Sequence, residues 1–113
     1  MKNDKGKLRE IPNDVQEKVS EIIEKFNQKA LKKKNRYYRA RFKGKYLYLD
    51  REDYGRVTHI CRLTYIGDMN DWDFAIYKYS SERYDPDEWF FPGADEVDGT
   101  IKGAMKAGLL AYP

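Results

Sequence analysis

Between Arg36 and Ser80 the apolar residues recur at every second position, whereas before and after that stretch they recur at every third or fourth. A period of two belongs to strands with one buried face, and a period near 3.6 belongs to amphipathic helices. The chain therefore has to fold as helix, strands, helix, with the helices covering the apolar side of the sheet.

The first helix is expected to start at Asn13 or Asp14, after Pro12, with Asp14 and Glu17 at capping-box spacing. Val15, Val19, Ile22, Ile23, Phe26, Ala30 and Leu31 then mark one helical face. Acids at its start and lysines at its end complement the helix dipole.

From Asn35 the strand rhythm begins. Tyr38, Ala40 and Phe42 point one way, and Tyr37, Arg39, Arg41 and Lys43 the other. Gly44 predicts a tight hairpin, and Lys45 to Asp50 continues with Leu47 and Leu49 inward and Tyr46 and Tyr48 outward. A polar turn is expected over Arg51 to Arg56. The third strand runs from Val57 to Ile66, with Cys61, Leu63 and Tyr65 inward and Ile60 breaking the alternation. The fourth runs from Trp72 to Ser80 around Phe74 and Ile76.

Beyond it, Asp85-Pro86-Asp87-Glu88 has the signature of a helix start, predicting one helical turn through Trp89 and Phe90. Trp89, Phe90 and Phe91 are read as a plug between the last strand and the last helix. Asp98 or Thr100 caps that helix, on which Ile101, Ala104, Met105, Gly108, Leu109 and Tyr112 form a stripe. Gly103 and Gly108 cost helix propensity, for which close approach to the packing partner would compensate.

The expected architecture is thus α+β: a four-stranded antiparallel meander with the N- and C-terminal helices on one face, in the order α-β-β-β-β-α. A length of 113 residues favours one domain, taken as 11–113, after a flexible polar tail over 1–10. The aromatic share of 15% supplies core-forming bulk that disordered chains lack. No apolar run reaches the roughly 18 residues a bilayer span requires, and MKNDKGKLRE has no secretory core. A soluble, cytoplasmic chain without membrane partners is the expectation.

Several chemistries lack their residues. One Cys and one His argue against a disulfide framework and a zinc site, so no metal or cofactor is expected. His59 and Cys61, two apart on a strand, would share a face, but Cys61 aligns with the core residues Leu63 and Tyr65 and is read as structural. Asp68, Asp71 and Asp73 lack calcium-loop spacing. Asp85, Asp87, Glu88, Asp95, Glu96 and Asp98 are read as turn and capping acids. There is no phosphate loop, dinucleotide fingerprint or serine elbow. No catalytic residue is assigned.

The charge of +3 is unevenly divided: fifteen Lys and Arg face six Asp and Glu up to Tyr46, and seven face thirteen from Leu47 onward. Such polarity fits an anionic partner, neutralisation within the fold, or head-to-tail attraction between copies. The uncovered sheet face would carry Tyr37, Arg39, Arg41, Tyr46, Tyr48, Arg62, Thr64, Tyr77 and Tyr79. Tyrosine and arginine together suit stacking on unpaired bases and pairing with phosphate.

The segments YDPDEWFFPG and DGTIKGAMKAG resemble the ending of small prokaryotic domains of unknown function. That resemblance covers about the C-terminal third and implies a self-contained microbial protein, with no activity or site residue attached. The functional expectation is therefore a non-enzymatic module binding single-stranded nucleic acid through Tyr37, Arg39, Arg41, Tyr48, Arg62 and Tyr77. Its alternative is protein interaction or a homodimer through the same face.

Overall fold

A computed structural model describes residues 10–32 and 35–113. The expected tail, apart from Glu10, lies outside the described residues, as do Lys33 and Lys34 of the lysine run. Helix α1 spans Asn13–Ala30 and helix α2 spans Ile101–Ala111. Between them lie β1 (Arg36–Lys43), β2 (Tyr46–Asp53), β3 (Arg56–Thr64), β4 (Asp73–Lys78) and β5 (Arg83–Asp85). All five strands form one antiparallel sheet in chain order. The class is α+β as expected, but the sheet has five strands, not four.

The fifth strand occupies part of the segment expected to start a helix. Asp85 Oδ1 accepts the Asp87 backbone N–H at 2.9 Å, closing a side-chain turn that takes the place of a helical one. A three-residue strand shows too little alternation to be seen in sequence. The turn after β2 is also tighter than expected. Arg51, Glu52 and Asp53 are strand residues, and only Tyr54 and Gly55 form the bend, with φ of 54° and 84°. Positive φ at both central residues is what a two-residue hairpin needs to match the strand twist.

Both helices pack on the face carrying Tyr38. The Phe26 ring of α1 meets Tyr38 edge-on at 5.8 Å, and Tyr38 Oη donates to the Met105 carbonyl of α2 at 2.7 Å. Val19, Ile23, Leu47, Leu49, Leu63, Ile76, Ile101 and Met105 fill the space between the layers. Asn27 ties α1 to β1, its amide donating to the Tyr38 carbonyl and its oxygen accepting the Tyr38 N–H. The capping box does not form at the start of α1, where Pro12 is the cap residue and makes no side-chain bond. Ile11, buried just ahead of it, instead donates its N–H to the Gly44 carbonyl at 3.0 Å. At α2 the cap is Thr100, whose Oγ1 accepts the Gly103 N–H at 3.0 Å.

The C-terminal end of α2 is held by a buried arginine. Arg51, 1% exposed, donates to the carbonyls of Gly108 and Tyr112. A cation at a helix C-terminus meets the negative end of the dipole. Asp53 balances this charge, accepting from Arg51 Nε at 2.9 Å and from Arg36 Nε at 3.0 Å, while Thr58 Oγ1 donates to its other oxygen. The close approach expected of the α2 glycines is present: a Cβ on Gly108 would lie 2.5 Å from Ile60 Cγ2 and against the Tyr38 hydroxyl.

Candidate functional site

The face opposite the helices is organised by one irregularity. Leu49 pairs with Cys61 but Asp50 pairs with His59, so Ile60 is an extra residue in β3. Such a bulge resets the alternation. Ile60 and Cys61 both point into the core, and His59 turns out to the open face. The expectation that His59 and Cys61 share a face is therefore corrected. Burial, reinforced by the nearby Asp50 charge, raises the Cys61 thiol well above the ordinary cysteine range.

Asp50 is the centre of the open face and only 4% exposed. Arg41 reaches it from β1 with Nε at 2.9 Å and Nη2 at 3.3 Å, a two-point contact on the carboxylate. His59 Nδ1 lies 3.0 Å from Asp50 Oδ1. Burial pushes the Asp50 carboxyl upward, but the bonds from Arg41 and His59 outweigh it and hold the group below the usual range. Asp50 is thus an anchor for two side chains that project further out.

Around this anchor the tyrosines form a continuous layer. Ring centroids are separated by 6.1 Å for Tyr46 and Tyr48, 5.2 Å for Tyr48 and Tyr84, and 4.9 Å for Tyr84 and Tyr77. Tyr79 continues it at 4.7 Å from Tyr77, and its hydroxyl accepts the His59 N–H and donates to the His59 carbonyl, filling ladder positions beyond the end of β4. The Arg41 guanidinium lies 4.6 Å above the Tyr48 ring. Arg62 lies 4.7 Å from the Tyr46 centroid and 5.7 Å from that of Tyr84, and among the described residues its buried Nε has no hydrogen-bond partner. Burial and the Asp50 charge push the Tyr84 hydroxyl up to about 12.

All six residues expected at the site stand on this face, but only four come together. Arg41, Tyr48, Arg62 and Tyr77 belong to the tyrosine layer. Tyr37 sits at the β1 edge opposite Glu52, and Arg39 pairs with Glu52 at 3.4 Å. The charge imbalance is thereby partly cancelled inside the sheet, since basic β1 lies against acidic β2. Three members were not anticipated: Asp50, His59 and Tyr84. The broken alternation at Ile60 was the available signal for the first two, and nothing local announced the third. Among the described residues no group of three His, Cys, Asp or Glu side chains is placed to hold a metal ion, and no helix is long and apolar enough to cross a membrane.

The arrangement offers ring surfaces, an unmatched guanidinium donor, and a carboxylate spent on positioning. No protein-family model, curated protein or solved structure matches this chain.

Proposed function

We propose that the open sheet face is a non-enzymatic binding surface for single-stranded nucleic acid, with Tyr46, Tyr48, Tyr77 and Tyr84 as the stacking layer and Arg41 and Arg62 as its cations. The observation that carries this reading is Arg62. Its guanidinium lies over the Tyr46 and Tyr84 rings, on a side chain that is only partly buried. A guanidinium carries five N–H donors, and those the rings do not shield gain from an acceptor brought to them. A phosphate oxygen or a base carbonyl is such an acceptor, and neighbouring tyrosines give unpaired bases a surface to stack on. Lys43 and Lys45, exposed at the β1–β2 hairpin, extend the positive charge along one edge. Arg41 contributes as a flat cation held in place by Asp50 rather than as a free charge.

Base stacking on an aromatic side chain is worth about 1–3 kcal/mol, so Tyr48→Ala is expected to weaken binding of a labelled mixed-sequence oligonucleotide about 5- to 150-fold. Arg62→Ala is expected to weaken it and also to flatten its salt dependence, since removing one phosphate-binding cation reduces the slope by about one. The assay is fluorescence anisotropy at two salt concentrations, with the oligonucleotide recovered intact afterwards. Absence of binding at low salt rejects the proposal. Concentration-dependent association that Tyr48→Ala abolishes would favour self-association through this face instead.

A further inference from the structure

Two surfaces away from the sheet face complement one another. The first is a projecting ring. In the connection after β5, Trp89 and Phe91 fold back on Phe74 with centroids 5.8 and 5.9 Å away, whereas Phe90 between them is 94% exposed. It is held outward by its backbone: the Phe90 N–H donates to Glu88 Oε2 at 2.9 Å, and Glu88 Oε1 accepts from Lys78 Nζ at 2.9 Å. Asp87 and Asp95, both exposed, lie close to it in the chain, on its N-terminal and C-terminal sides. The expectation that these aromatics plug the core thus fits Phe91, which packs against it, and fails for Phe90 and for Trp89, which stays 49% exposed.

The second surface is a groove of about 340 Å³ between α1 and α2. Its floor is apolar, built from Ile22 and Phe26, and its rim is Lys25, Lys29, Lys102 and Lys106. Among the described residues none of these lysines has a carboxylate within 4.0 Å. A space on the order of 150 Å³ already admits a benzene ring, so a benzyl side chain fits with room to spare.

We propose that the chain associates with a second copy of itself, Phe90 of one copy entering the lysine-rimmed groove of the other while Asp87 and Asp95 meet the rim. The pairing matches an apolar knob with acidic flanks to an apolar floor with a basic rim, on two surfaces of the same chain. A contact resting on one ring and a few charges gives weak association, because binding must first offset the lost translational and rotational freedom. The electrostatic part weakens with salt and the apolar part does not.

The test is sedimentation equilibrium of the full chain at low and high salt. Reversible, concentration-dependent association is expected, weakened about 10- to 100-fold by Phe90→Ala, the range for burying one large apolar side chain. Phe90 is so exposed that its removal leaves the melting temperature of the monomer unchanged, which separates a defect in association from a defect in folding. Lys102→Glu with Lys106→Glu is expected to weaken association, and adding Asp87→Lys and Asp95→Lys to that pair is expected to restore it. A chain that stays monomeric at every accessible concentration overturns the proposal, as does association indifferent to Phe90→Ala. A monomer that instead binds vesicles of anionic phospholipid through the same lysines also overturns it and reassigns the groove. Oligonucleotide binding is read separately, because Tyr48 and Phe90 lie on different surfaces.

Discussion

Replacing Gly108 by alanine is expected to destabilise this protein, against the usual sign for a glycine in a helix. In an exposed helix interior the change gains about 1 kcal/mol from propensity. Here the added Cβ would lie 2.5 Å from Ile60 Cγ2 and against the Tyr38 hydroxyl, so α2 must move away from the sheet. Overpacking of this kind costs about 1–3 kcal/mol. The same movement lengthens the bond from Tyr38 Oη to the Met105 carbonyl and those from Arg51 to the end of α2. An unsatisfied buried polar group adds about 1–3 kcal/mol. Set against the propensity gain, the net destabilisation is about 1–5 kcal/mol. In a domain of this size that lowers the melting temperature by roughly 5–30 °C. Urea unfolding followed by circular dichroism measures it directly. Tyr38→Phe in the same background removes the oxygen the new methyl meets, so the two changes together should cost less than the sum of each alone. A Gly108→Ala variant as stable as the parent, or more stable, would refute the close approach of α2 to β1 and β3.

Two further outcomes follow from the buried polar groups. Burial raises the Asp50 and Asp53 carboxyls, but bonds from Arg41 and His59 to the first, and from Arg51, Arg36 and Thr58 to the second, leave both below the ordinary range. The unfolded chain therefore binds these protons more readily, so their contribution is complete above about pH 5 and disappears as the pH falls below about 4. Urea midpoints across that range should drop with acid, and Asp53→Asn should flatten the drop; an unchanged acid slope would sink the assignment. Cys61, wholly buried, should react with a neutral thiol reagent only when the chain opens, at a rate that climbs with urea as the unfolded population does. Prompt labelling of the native protein would contradict its place beneath the helices.

Residue order along the chain was enough to specify the α+β class, both helices with their buried faces, four strands, and the sorting of Tyr37, Arg39, Arg41, Tyr48, Arg62 and Tyr77 away from the core. Each of these depends on side-chain period, a local property that burial of one face enforces along the whole element. The bulge at Ile60 is different in kind. It is a relation between β2 and β3, and it alone decides that His59 leaves the side of Cys61 and joins Asp50. The arrival of Tyr84 depends likewise on β5 pairing with β4, which three residues cannot advertise. Arg51 is the plainest case. Its neighbours made it part of a polar turn, but the carbonyls of α2, 57 and 61 positions further on, and the carboxylate of Asp53 make a buried charge tolerable there. Period is written in neighbouring residues, whereas partners for buried polar groups come from distant ones, and only the folded chain brings those together.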